Sequence, residues 1–290
     1  MKIIGTTISG SSLIEVDDCE LETFNAMLKA VEPVAIPESE YDKKRLTRQL
    51  ALYFAGKGYC IVDLIPKANI NKADHKLAVQ ILNHRNVLLP FVKDMLHCKK
   101  ATCFAYDIAG WAAGDIVSLN NFCKELLVRE WICDFKKDKN TVQFQLVSNF
   151  DKSARSFLHG KWMEIAALRL IESALQDFSK KIDGGFKYRL FYDVKLKKYE
   201  SEKSNDIQLD FVVQLPDRFL IFETKSGFML NITRWAELHN LFSDDKNRYI
   251  TCCADDTLNP LIFSPCYLLN LGNLYENVTN MLNSVYSVTQ

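Results

Sequence analysis

No stretch of the chain approaches the run of about eighteen apolar residues that a membrane span needs. The start, Met-Lys-Ile-Ile-Gly-Thr-Thr, also lacks an apolar signal-peptide core. The two absences together lead to the expectation of a cytoplasmic protein without a membrane partner. Net charge is missing as well, since 36 Lys and Arg balance 36 Asp and Glu. A protein that coats nucleic acid is usually basic overall, so any contact with phosphates here has to be local. The nine cysteines contain no C-x-x-C pair, which argues against zinc, and their odd number points to reduced thiols rather than disulfides. Glycine (11) and proline (7) are scarce among 290 residues, leaving few flexible linkers, and there is no internal repeat or low-complexity tract. What remains is an ordinary globular composition, 48% hydrophobic and 25% charged, long enough for two domains.

In the first half, patterning predicts short strands over Lys2–Ile8 and Leu13–Val16 around Gly10-Ser11, then helices over Glu20–Val31 and Tyr41–Ala55, the latter ending at Gly56. The loop Gly5–Ser12 offers backbone donors and hydroxyls that can cradle a phosphate. A strand rather than a helix follows it, which favours a plain hairpin. Tyr59–Ile65 reads as a strand, and Lys72–Leu82 as a helix with a stripe of Ala73, Leu77, Ala78 and Ile81. Val87–Leu96 and Ala101–Ile108 are further apolar elements, the second strand-like. His75, His84 and His97 fall at no metal-ligand spacing and are read as structural or surface residues. Leu119–Arg129 reads as a helix, followed by a hairpin of Trp131–Phe135 and Thr141–Val147 with the tip Lys136-Lys137-Asp138-Lys139-Asn140. Residues 116–148 therefore resemble a winged-helix segment with a basic wing, whose tip either approaches a nucleic-acid backbone or is a solvated loop. Polar residues at Asn149–Ser153 mark the expected boundary between an N-terminal α/β domain, 1–150, and a C-terminal domain, 151–290.

The second half opens on a long helix, capped by Asp151 or Ser153. Its stripe is Leu158, Trp162, Ile165, Leu168, Ile171, Leu175 and Phe178. Glu164 stands four before Leu168 and seven before Ile171, on the same face. A carboxylate there needs a partner or a cation, unless its side chain escapes to solvent at the margin of the stripe. Residues 179–204 carry eight Lys and Arg against four Asp and Glu, a local excess of four positive charges suited to phosphodiesters. Tyr188–Lys198 alternates like a strand. Thr233–Phe242 is a helix with Trp235, Leu238 and Leu241 inward, Arg248–Ala254 and Leu261–Leu269 are strands, and Leu274–Val285 is a closing helix. The order of helix, three strands, helix and strand predicts an α/β fold, a mixed sheet flanked by helices.

The rest is organised around Ile207–Gly227, two apolar runs on either side of Pro216-Asp217, a dipeptide suited to a tight turn. With Leu215 facing Arg218, each facing pair sums to 433, so Asp210 stands opposite Glu223, with Cβ atoms about 5 Å apart. Alternation puts Lys225 on the same face. Two carboxylates this close favour sharing a cation, and all-oxygen ligands suit Mg²⁺ or Mn²⁺. The alternative is a cross-strand salt-bridge ladder on a solvated face, against which the apolar neighbours Val212, Phe219 and Ile221 speak.

Asp210, a gap of thirteen and Glu223-Thr224-Lys225 resemble the PD-(D/E)xK nuclease signature. The chain is most similar to the nuclease half of the CRISPR ancillary nucleases, with Gly160-Lys161-Trp162-Met163-Glu164, Ile207-Gln208-Leu209-Asp210 and Glu223-Thr224-Lys225-Ser226-Gly227. It departs from them at Ile207 and Gln208, where the family has Asn and Glu, and at Thr224, where it has Cys. The resemblance covers about residues 155–255. It implies a restriction-endonuclease-like domain cutting DNA or RNA, DNA before RNA, with Asp210, Glu223 and Glu164 around Mg²⁺ or Mn²⁺ and Lys225 orienting water. It further implies a homodimer in antiviral defence, with an N-terminal sensor for a cyclic oligoadenylate, although no motif in residues 1–150 carries that sensor over. Two other readings stay open: a non-catalytic nuclease-like binding module in a larger assembly, and a nuclease whose N-terminal domain docks on a protein partner.

Overall fold

The computed structural model describes residues 2–7, 10–15, 41–65, 70–98, 102–147, 150, 152–182, 186–199, 206–225, 232–254, 261–263 and 266–286. The chain forms two compact units, Met1–Ile65 with Asp193–Leu209, and Pro66–Tyr192 with Asp210–Gln290. The division expected near residue 150 does not fall there. The helices before that point and the long helix after it share one hydrophobic core, running from Leu77 and Phe91 through Trp131 and Phe157 to Trp162 and Leu175.

In the first unit, β1 (Lys2–Thr7) and β2 (Gly10–Glu15) form an antiparallel hairpin with Thr7 opposite Gly10, so the loop between them is the plain hairpin. The helix expected over Glu20–Val31 lies outside the described residues. Helix α1 (Tyr41–Gly56) leads through Gly58, held at φ +83°, into β3 (Tyr59–Ile65); a positive φ there suits glycine. Lys195 pairs with Asp63 at 3.0 Å.

The second unit begins with α2 (Lys72–Asn83), whose Asn71 cap accepts from the Asp74 N–H at 2.7 Å. After α3 (Arg85–His97) come β4 (Cys103–Asp107), α4 (Ala113–Val128), β5 (Ile132–Lys137) and β6 (Thr141–Leu146). The strands form an antiparallel sheet in the order β4-β6-β5. The hairpin expected after α4 is therefore joined by a third strand, and α4 starts six residues before Leu119. Each of these histidines has a protein partner: His84 Nδ1 lies 3.0 Å from Ser118 Oγ, His75 Nε2 lies 3.1 Å from Arg169, and His97 Nδ1 lies 2.7 Å from the Lys93 carbonyl.

The long helix is α5 (Lys152–Ser156), a π turn (Phe157–Lys161) and α6 (Trp162–Lys181). Asp151 lies outside the described residues, and Ser153 is inside α5 rather than at its cap. Every residue of the predicted apolar stripe is buried. Then follow β7 (Arg189–Lys198), β8 (Ile207–Gln214), β9 (Phe219–Lys225), α7 (Ile232–Phe242), β10 (Arg248–Cys253), β11 (Leu261–Phe263), β12 (Cys266–Asn270) and α8 (Leu274–Tyr286). Their sheet runs β11-β12-β10-β9-β8-β7, and β7 and β8 continue into the first unit, where β3 is the outer neighbour of β7. Strand β10 is parallel to β9 and β12, while β8–β9 and β11–β12 are antiparallel. The fold is thus α/β, with a mixed sheet flanked by helices. The single strand expected over Leu261–Leu269 is instead two short ones with Phe263 opposite Cys266, separated in sequence by Ser264-Pro265, because proline cannot continue a strand's hydrogen bonding. Among the described residues no helix is long and apolar enough to cross a membrane.

Candidate active site

The Leu215 N–H donates to the Arg218 carbonyl at 2.9 Å across Pro216-Asp217. From that turn the pairs run Gln214–Phe219, Val213–Leu220, Val212–Ile221 and Phe211–Phe222. Continued one step, the same register would put Asp210 against Glu223, and the Asp210 charge does act on the Glu223 carboxyl. The turn is fastened from outside. Arg218 holds both carboxylate oxygens of Asp217, at 3.1 and 2.8 Å, and the Tyr286 hydroxyl donates to Asp217 at 2.5 Å. The Arg218 guanidinium first, and then Tyr286, bring the Asp217 carboxyl down to about 2. On the other side β9 meets β10, with Glu223 beside Thr251 and Lys225 beside Cys253. Asp210, Glu223 and Thr251 therefore form a row across three strands, with Lys225 two residues along. Helix α7 closes over this face, and Arg234, Trp235 and Leu238 join Glu223, Tyr249 and Thr251 around a small cavity of about 50 Å³.

The pocket penalises negative charge. Burial first, and the Asp210 carboxylate second, push the Glu223 carboxyl up to about 7, although Lys225 and Arg234 pull it back. Lys225 Nζ donates to Glu223 Oε1, whereas Glu223 Oε2 is buried with no hydrogen-bond partner. The Tyr249 hydroxyl is held far above its usual range, by burial and then by the charges of Glu223 and Asp210, and so stays a phenol. Asp210 is oriented differently. Its Oδ2 accepts from the Thr224 N–H at 2.6 Å and from Thr224 Oγ1 at 2.7 Å. Sequence reasoning missed Thr224 as the partner that holds Asp210. The one available signal was its place in the Glu-x-Lys triplet.

A divalent cation fits this arrangement. A buried carboxylate oxygen without a partner, beside a second carboxylate, is the hard, negative donor pair that Mg²⁺ or Mn²⁺ takes. Such ions commonly bind through one or two carboxylates and keep several waters. Among the described residues no three His, Cys, Asp or Glu side chains come together as a metal-binding set, so the expected third carboxylate is not joined to the pair. Glu164 lies on α6, whose core residues pack with Phe211, Val213 and Phe222 on the opposite face of the hairpin. Its side chain is 31% exposed, and it accepts from Lys161 Nζ at 2.6 Å. The stripe margin, rather than the buried centre, is where this glutamate sits. Gln208 donates to the Asp193 carboxylate within the first unit. Ser226 and Gly227 lie outside the described residues.

No family model matches the chain, and no curated protein matches it. Among solved structures it is similar to protein VC1899 from Vibrio cholerae, at 15% identity and a TM-score of 0.48 over 82% of this chain and 61% of that one. It is likewise similar to Can2 from Sulfobacillus thermosulfidooxidans, solved in complex with cyclic tetra-adenylate, at 14% identity and a TM-score of 0.48 over 81% of this chain and 60% of that one. The chain thus spans about three-fifths of the length of each of these structures. At such identity and TM-score neither likeness bears on function.

Proposed function

We propose that this protein is a divalent-cation-dependent nuclease that hydrolyses phosphodiester bonds, in DNA before RNA. The observation that carries the reading is the buried, unpartnered Oε2 of Glu223, next to Asp210 and on the same face as Lys225. A cation bound there would polarise a phosphoryl oxygen and lower the pKa of a bound water, so that hydroxide is at hand near pH 7. The chain's own residues do the remaining work. Thr224 fixes the Asp210 carboxylate in one orientation, and Glu223 supplies an oxygen already stripped of water. Lys225, which donates to Glu223, would orient water and offset charge on the phosphate. The exposed Arg234 lines the same cavity and adds a positive charge there.

The test is incubation of the purified protein with plasmid, single-stranded DNA and RNA, with and without Mn²⁺. Glu223→Gln and Lys225→Ala should each lower cleavage by about 10²- to 10³-fold or more while leaving the fold intact. A variant that cuts as fast as the parent removes its residue from the mechanism. The motif resemblance adds an activating cyclic oligoadenylate, which the same assay examines by adding cyclic tetra-adenylate; no change in rate or melting temperature removes that part. The non-catalytic reading draws on Gln208, which replaces the family's Glu and is engaged with Asp193. Such a scaffold would bind no Mn²⁺ and cut nothing.

A further inference from the structure

A second surface, away from the β8–β9 hairpin, has the build of a nucleic-acid contact. The tip between β5 and β6 carries Lys136, Lys137 and Lys139, all exposed and with no ion-pair partner among the described residues. The one acid among them, Asp138, is exposed too, but its carboxylate is occupied within the turn, accepting from the N–H groups of Asn140 and Thr141 and from Thr141 Oγ1, at 2.9, 2.8 and 2.7 Å. The Ile108 N–H donates to the Asn140 carbonyl at 2.7 Å, which ties the tip to the segment leading into α4. The turn is therefore a braced support for three ammonium groups.

Strand β5 is also bulged just before the tip. Cys133 pairs with Gln145, but Lys136 pairs with Gln143, so one extra residue is inserted between them, where Asp134 is at φ +52°. In the unshifted register Lys136 would stand opposite Val142, which is fully buried. The bulge sets it opposite Gln143 instead, and Lys137 opposite Val142, with both lysines exposed.

Helix α4 shows solvent a strip of Ala113, Gly114, Val117, Asn121, Lys124 and Val128, slim or polar and free of carboxylates. Of the acids on this helix, Glu125 is buried and paired with Lys76 at 2.7 Å and Arg129 at 3.6 Å, while Asp115, half-buried, follows Gly114 in the first turn. A groove of about 580 Å³ runs along the strip between α2 and α4, lined also by Lys76, Gln80 and His84.

We infer that the α4 strip and the β5–β6 tip together dock a nucleic-acid duplex, with the slim helix face entering a groove and the tip lysines on backbone phosphates. The exposed positions of the helix carry no acid, a helix can seat in a major groove about 12 Å wide, and the lysines supply counterion release. The surface lies apart from the hairpin site, so its test is independent of whether the chain cuts.

Fluorescence anisotropy with a short labelled duplex, in buffer with EDTA and no divalent cation, measures it directly. Charge reversal of the tip (Lys136→Glu, Lys137→Glu and Lys139→Glu together) should weaken duplex binding about tenfold or more near 0.1 M salt. It should also make the slope of log affinity against log salt shallower by about 2 to 3. The neutral set, the same three lysines to Gln, should show a smaller loss in the same direction, and this guards against misfolding of the reversed protein. Asn121→Glu on α4 should weaken binding as well, and Lys246→Glu, exposed elsewhere, should not. The inference is overturned if the parent does not bind duplex, if a single strand of the same sequence binds equally tightly, or if the tip and Asn121 variants bind like the parent.

Discussion

The two faces of the β8–β9–β10 ribbon differ in kind. One carries Phe211, Val213, Leu220, Phe222, Ile250 and Cys252, all apolar, all buried and all in the core that includes α6. The other begins the same way near the turn, with Val212, Ile221 and Tyr249, and then changes to Asp210, Glu223, Lys225 and Thr251. That second face also holds buried polar atoms without a hydrogen-bond partner, Glu223 Oε2, Thr251 Oγ1 and, from α7, Trp235 Nε1. Each such atom costs about 1–3 kcal/mol, and nothing of the kind occurs among the six residues of the first face. One side of the ribbon gathers stability, while the other tolerates a loss of it. Local rules of good packing tend to be broken where a protein does its chemistry.

The largest effect expected on stability comes from the apolar face. Phe222→Ala should destabilise the protein by about 3–5 kcal/mol, read from urea denaturation, and a loss below about 1 kcal/mol would mean that the division between the faces is drawn in the wrong place. A smaller effect of opposite sign should come from Glu223→Gln in the metal-free protein. The folded-state pKa of Glu223, about 7, lies above the ordinary 4.5. The stabilisation that goes with its protonated form is therefore complete below about pH 4.5 and is lost as pH rises through 7. By the usual 1.36 kcal/mol per pKa unit, ionising this carboxylate costs the fold up to about 3 kcal/mol above pH 8. The glutamine variant should thus melt higher than the parent at pH 8 and no higher at pH 4.5. A parent that is as stable as the variant at both pH values would show that Glu223 is not under electrostatic pressure.

Much of this contrast could be read in the sequence, for particular reasons. Proline followed by aspartate fixes a tight reversal, and strand alternation then leaves a single register, so Asp210, Glu223 and Lys225 fall on one face without further information. The stripe from Leu158 to Phe178 announces the long helix because helical spacing repeats six times. Glu164 was harder, since spacing gives the angle around a helix and not whether a side chain lies at the centre or the margin of its buried face. A lysine three residues earlier pairs with it, where the expectation was a cation shared with the hairpin carboxylates. The common core of α2, α3, α4 and α6 was hidden for a related reason. Polar residues at 149–153 look like a linker, and only tertiary packing shows that Trp131, Phe150 and Phe157 meet across them. The bulge at Asp134 and the hold of Thr224 on Asp210 leave no mark in hydrophobic periodicity at all.

The central claim is that Asp210 and Glu223 form a cation site on the polar face. Calorimetric titration of the metal-free protein with Mn²⁺ tests it most directly. The account predicts a saturable heat from one ion per chain, accompanied by proton release near pH 7 as Glu223 ionises, and absent in Asp210→Asn and in Glu223→Gln. A parent that takes up no Mn²⁺, or variants that bind it as tightly as the parent, would contradict it.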